Sequence, residues 1–141
     1  MERKIITHSE AETMDLAREL LAQMPDGGVI ALFGELGAGK TVFARGFAAA
    51  AGITEPVSSP TYTIMQEYPC PGGNMFYHLD LYRISGPEAG LAFGVDEYLN
   101  EPGAWVLAEW PERIESLLPP HTIRLTIRHT GEEEREITIV Q

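Results

Sequence analysis

The sequence predicts an α/β fold of three layers, with a mostly parallel central sheet and a C-terminal antiparallel hairpin. Three observations predict it. Residues 29–33 form a short apolar run that passes through a glycine-rich loop into a helical pattern over residues 42–51. Residues 104–108 are continuously apolar and end in an acid, as expected of a strand covered on both faces of a sheet. The tail alternates, with Ile123, Leu125 and Ile127 on one face and Arg124 and Arg128 on the other, and Ile137 and Ile139 repeat the pattern after a turn at residues 129–132. With 141 residues the chain is read as one domain, residues 1–141, large enough to bury a core.

The remaining elements follow from local signals. Residues 4–7 suggest a short edge strand. Ser9, with Glu12 three positions on, resembles a capping box and should start a helix, in which Met14, Leu16, Ala17, Leu20, Leu21 and Met24 recur at helical spacing until Pro25-Asp26-Gly27-Gly28 stops it. After the strand, loop and helix already described, residues 55–63 are rich in hydroxyls, broken by two prolines, and read as an ordered loop. Residues 64–68 and 75–79 look like two strands joined by a Pro-Cys-Pro-Gly-Gly hairpin turn, the second ending in Asp80. Residues 87–99 are helical or irregular and interrupted by Gly90 and Gly94, and a turn at 100–103 precedes the apolar run that ends in Glu109.

The loop at residues 34–41, GELGAGKT, matches the phosphate-binding P-loop: Gly, any four residues, then Gly-Lys-Thr. A strand before it and a helix after it are the context this motif requires. Glycines let consecutive N–H groups turn inward on one anion, and the loop opens a helix whose N-terminus carries positive dipole. Lys40 supplies a point charge for the terminal phosphates, and the Thr41 hydroxyl can enter the coordination shell of a magnesium ion. The fold is therefore expected to be P-loop NTPase-like.

Nucleotide hydrolysis also needs a carboxylate near the metal and a group to orient the attacking water. In open α/β sheets such groups sit at the carboxyl ends of strands. Glu109 and Asp80 both stand there. His78, two residues before Asp80, has two readings, a general base or a structural histidine, and its place inside a strand favours the second. Trp110 stacks on a ligand or packs beside a turn. The hydroxyl loop lies where P-loop switch proteins sense the terminal phosphate. The Asn-Lys-x-Asp motif that reads guanine is missing, which favours adenine, and no compact arginine cluster suggests the lid of a small-molecule kinase.

Composition narrows the partners. A net charge of −11 with only two lysines, Lys4 and Lys40, argues against independent gripping of RNA or DNA. Cys70 is the only cysteine, so no intrachain disulfide forms and no metal cluster can be built on it. The N-terminus lacks an apolar signal core, and no stretch approaches the roughly 18 apolar residues of a membrane span. A reducing, cytoplasmic location is the expectation.

Taken together, GELGAGKT, SPTYT at residues 59–63, HLDLYR at 78–83 and EWPE at 109–112, in this order and at these spacings, resemble the TsaE (YjeE) family of small bacterial P-loop ATPases. The resemblance runs from about Ser9 to the C-terminal hairpin. It implies a role in installing threonylcarbamoyl on the adenosine next to the anticodon of tRNAs that read codons starting with A. In that family the protein does not perform the transfer; it binds the complex of TsaB and TsaD, and its ATPase activity serves that complex between turnovers. An acidic chain suits docking on proteins rather than on tRNA. By position, the resemblance assigns Glu35, Leu36, Gly37, Ala38, Gly39, Lys40 and Thr41 to the phosphates of ATP or ADP, and Thr41 and Glu109 to magnesium. Asp80 becomes the catalytic or metal-linked carboxylate, Thr61 and its neighbours the phosphate-sensing loop, Trp110 a neighbour of the site, and Glu10 the adenine side. Two other readings stay open at this level: a free-standing kinase for a small hydroxylated substrate, and a nucleotide-dependent binding switch with negligible turnover.

Overall fold

The computed structural model describes residues 1–35, 39–56 and 64–141, and within them the apolar runs become strands. These are β1 (Glu2–Thr7), β2 (Gly28–Phe33), β3 (Met65–Pro69), β4 (Met75–Asp80), β5 (Trp105–Glu109), β6 (Ile123–His129) and β7 (Arg135–Val140). Helices α1 (Glu10–Ala22), α2 (Lys40–Ala50), α3 (Pro87–Ala92) and α4 (Val95–Leu99) lie between them, with a 3-10 segment over Pro111–Leu117. Positions 36–38 of the glycine-rich loop and 57–63 of the predicted hydroxyl loop, Thr61 among them, lie outside the described residues.

One sheet contains every described strand, in the order β1-β7-β6-β2-β5-β4-β3. Strands β6, β2, β5 and β4 form a parallel centre, whereas β3 pairs antiparallel with β4, β7 with β6 and β1 with β7. The sheet is therefore mixed, not mostly parallel. Strands joined by short turns have to run antiparallel, while parallel neighbours need a crossover, so each tight turn reverses the direction at one margin. The C-terminal hairpin forms as predicted, and β1 adds to β7 as the edge strand expected over residues 4–7, beginning two residues earlier at Glu2.

Side-chain alternation sends two hydrophobic clusters to opposite faces. Ile30, Leu32, Phe76, Leu107, Leu125 and Ile137 pack under α1 and α2, with Leu16, Leu20, Phe43 and Phe47. On the other face Tyr77, Leu79 and Val106 meet Val95 and Leu99 of α4 and Ile114 of the 3-10 segment. Fully burying a side chain such as Phe43, Phe47 or Phe76 contributes about 1.5–3 kcal/mol each.

The capping expectation for α1 holds: the Glu12 N–H donates to Ser9 Oγ at 3.1 Å, and the Glu12 carboxylate accepts from the His8 N–H at 3.4 Å. The stretch over residues 87–99 resolves into two short helices whose break falls at Gly94, while Gly90 is inside α3, where an added Cβ would lie 2.9 Å from Ile114. Packing, rather than helix breaking, explains that glycine.

Helices α1 and α2 cross closely because Gly46 has no side chain. A Cβ there would stand 2.6 Å from the Cα and 2.8 Å from the Cβ of Met14. Gly46→Ala gains about 1 kcal/mol of helix propensity but forces two backbones apart, an overpacking cost of about 1–3 kcal/mol. A net loss of stability is expected. Urea unfolding measures it, and a raised midpoint would contradict the close crossing.

Candidate functional site

Strand β2 ends at Phe33, and two residues later the described chain reaches Glu35; it resumes at Gly39, which caps α2 with φ 104° and ψ 13°. That left-handed conformation strains any residue with a Cβ, and a Cβ at Gly39 would also approach Arg135 Nε at 3.1 Å. No side chain caps α2, and its first intrahelical bond is from the Phe43 N–H to the Gly39 carbonyl. The N–H groups of the first turn, from Lys40 and Thr41 onward, are thus the free donors that every helix start carries, and they favour an anion.

Lys40 opens this helix almost wholly buried, at 6% exposure, while Thr41 is exposed. The Lys40 ammonium donates to the Gly34 carbonyl at 2.7 Å and lies 5.0 Å from the centre of the Trp110 ring. A cation over an indole face gains roughly 0.5–2 kcal/mol, which helps offset its burial. Trp110 reaches this place through a left-handed backbone (φ 57°, ψ 46°), unusual for a residue with a side chain, which turns the chain sharply out of β5 into Pro111. Its ring also meets Tyr82 at 5.0 Å and the Arg113 guanidinium at 5.8 Å.

The two carboxylates fall side by side. Asp80 and Glu109 are register partners at the carboxyl ends of the parallel strands β4 and β5, and Glu109 is in turn the register partner of Leu32 in β2. Register partners share a face, here the α2 face, so both acids border the ground from which the glycine-rich loop rises. Asp80 is held by its surroundings: its N–H donates to the Ile64 carbonyl at 2.8 Å, and its Oδ1 accepts from the Tyr82 N–H at 3.1 Å. Glu109 is buried, at 4% exposure, and its Oε2 lies 2.6 Å from Nε2 of His78, which is fully buried. Burial makes His78 unfit as a general base that meets solvent, in line with the structural reading.

A cleft of about 250 Å³ flanks Gly39, lined by Ser9, Glu10, Thr13, Val42 and Arg135 among others. Glu10 lines this cleft, 3.9 Å from Arg45. Arg135 was not singled out in the sequence. Its Nη1 donates to the Glu134 carbonyl at 2.9 Å and to the Gly131 carbonyl at 3.3 Å, which fixes the hairpin turn and leaves its stem over Gly39. Only the strand order brings residues 39 and 135 together, so no local signal could have found it. Arg113 was missed for a similar reason, because the 3-10 turn that returns it to Trp110 has no marker beyond Pro111. Leu36, Gly37, Ala38 and Thr61 lie outside the described residues. Burial pushes the Cys70 thiol pKa up, which makes it a poor nucleophile.

Magnesium bound with a nucleotide asks fewer ligands of a protein than a metal caged by protein alone. Among the described residues no group of three or more His, Cys, Asp or Glu side chains could hold an ion. One hydroxyl and two carboxylates are what a magnesium ion takes from a protein when phosphates and water fill its other positions. No described helix is long and apolar enough to cross a membrane.

The family model described as threonylcarbamoyl adenosine biosynthesis protein TsaE matches residues 7–137. A tRNA threonylcarbamoyladenosine biosynthesis protein TsaE from Bacillus subtilis is 42% identical over 132 residues, covering 94% of this chain and 81% of its own. A protein of the same description from Treponema pallidum is 38% identical, covering 82% of this chain and 84% of its own. Among solved structures, that of Bacillus subtilis YdiB superposes with a TM-score of 0.81 at 38% identity, over 99% of this chain and 84% of that one.

Proposed function

Because the chain belongs to the TsaE family of threonylcarbamoyl adenosine biosynthesis proteins, we propose that it is a magnesium-dependent, P-loop ATPase of tRNA threonylcarbamoyladenosine modification. In this reading it acts in the cytoplasm with TsaB and TsaD and does not perform the transfer itself. One observation supports the ATPase reading above the others: a buried lysine opens α2 just after β2, whose parallel neighbour β5 ends in Glu109, itself register-paired with Asp80 at the end of β4.

In this proposal residues 35–41 bind the phosphates of ATP or ADP. Lys40 turns its ammonium from the Gly34 carbonyl toward the terminal phosphates, where it neutralises charge that grows in the transition state. Thr41 and Glu109, with Asp80 close by, hold magnesium, which supplies charge neutralisation at the phosphoryl oxygens. Asp80, anchored by the Tyr82 N–H, orients the attacking water. The cleft beside Gly39 takes the adenosine portion, with Glu10 on the adenine side. Thr61 and its neighbours sense the terminal phosphate, and Trp110 covers the lysine side of the site.

Calorimetry with ATP and ADP in the presence of magnesium tests the binding step, and the absence of heat with either nucleotide would overturn the proposal. Turnover is expected to be weak alone and to rise when TsaB and TsaD are added. ADP release that instead depended on a small hydroxylated acceptor, without any protein partner, would favour the kinase reading.

A further inference from the structure

We propose that His78 is a positioning residue for Glu109, helping to fix the carboxylate in the orientation that serves magnesium. The inference rests on the proposed nucleotide site but adds a residue whose role that reading does not assign.

Two strands are needed to build this contact. His78 and Asp80 are two residues apart on β4 and face the same way, and Asp80 is the register partner of Glu109. His78 thus stands one step back from the end of its strand, diagonally behind the carboxylate on β5. At that distance a straight aliphatic side chain would only pack. An imidazole reaches across instead, and Nε2 meets Oε2 at 2.6 Å, the short length of a bond to a charged acceptor. The tautomer is assigned from this pairing: Nε2–H donates and Nδ1 is left as a lone pair, with no partner among the described residues.

That orphaned nitrogen separates a positioning role from simple filling of the core. An apolar side chain of similar size would fill the same space without burying an unsatisfied ring nitrogen, but it would take a donor away from the buried Glu109 carboxylate. The ring is also held from the side, since Phe76 stacks on it with centroids 6.2 Å apart and planes 11° apart, so its direction is set by packing. A fixed ring with one bond, made to one oxygen of one carboxylate, restricts how that carboxylate turns. Groups that hold a metal ligand in this way typically change metal affinity about 10–100-fold when removed.

Glutamine and methionine have the same length and flexibility, and glutamine alone keeps an N–H donor near the position of Nε2. ADP affinity measured by calorimetry, with magnesium and with EDTA, gives a readout independent of turnover. In His78→Gln the gain in ADP affinity on adding magnesium is expected to match the wild type within about threefold. In His78→Met that gain is expected to fall about tenfold or more, while the affinity in EDTA stays within about twofold. His78→Asn, whose amide is too short to reach Oε2, is expected to behave like His78→Met and decides the matter if the methionine variant does not fold. The proposal is overturned if methionine and asparagine leave the magnesium effect intact, or if glutamine loses it equally, which would make His78 a packing residue. A wild-type protein that binds no ADP would remove the nucleotide site itself, whereas normal ADP binding with an unchanged magnesium effect in the variants removes only the role of His78.

Discussion

Replacing Lys40 with alanine is expected to lower ATP turnover by about a hundredfold or more, the usual loss when a charge aimed at a transition state is removed. The same change should leave the fold standing. Lys40 loses one hydrogen bond to the Gly34 carbonyl and one contact with the Trp110 ring, but its removal also ends the burial of an ammonium that is only 6% exposed. A net hydrogen bond contributes about 0.5–1.5 kcal/mol, and relief from burial works against that loss. Thermal unfolding should therefore shift by only a few degrees, which separates loss of chemistry from loss of structure. Arginine should not rescue the activity, because its planar fork is larger than the ammonium and delivers charge over a wider area. Turnover of Lys40→Ala within about fivefold of the wild type, on folded protein, would rule out the phosphate role of this lysine.

How much of this was legible before the structure differs between residues for physical reasons. The positions of Lys40, Asp80 and Glu109 were readable because each sits at the end of a strand or the start of a helix, where a short run of sequence carries both the element and the residue that bounds it. The capped start of α1 was readable for the same reason. By contrast, the alternation of Ile123, Leu125 and Ile127 marks a strand but not its neighbour, and β6 joins the parallel centre beside β2 instead of forming a margin. The same hidden pairing brings Arg135 to Gly39. Gly90 looked like an interruption of a helix because propensity records the missing side chain without the Ile114 that needs the space. His78 was legible as structural, and its partner Glu109 was not, since a contact between positions 31 apart depends on strand register.

Asp80→Asn is expected to lower turnover about a hundredfold while leaving ADP affinity within about threefold of the wild type, because it removes charge from the reacting end of the site and not from the phosphate cradle. The substitution is close to silent for the structure. Asparagine keeps an Oδ1 that can accept the Tyr82 N–H, now bonded at 3.1 Å, and the backbone ties from the Asp80 N–H to Ile64 and from the Leu81 N–H to Glu109 involve no side chain. Unfolding free energy should therefore change by less than about 0.5 kcal/mol. This variant also divides the two surviving readings of the family role. If nucleotide hydrolysis is needed, Asp80→Asn should still bind its partners and yet fail to support threonylcarbamoyladenosine formation. If the protein is a binding switch with negligible turnover, both partner binding and modification should persist, because the asparagine site can still be filled by nucleotide. Measuring tRNA modification in cells that carry only the asparagine form, with nucleotide binding checked on the purified protein, decides between them. Persistent modification at the wild-type level would remove hydrolysis from the proposed mechanism while leaving the nucleotide site in place.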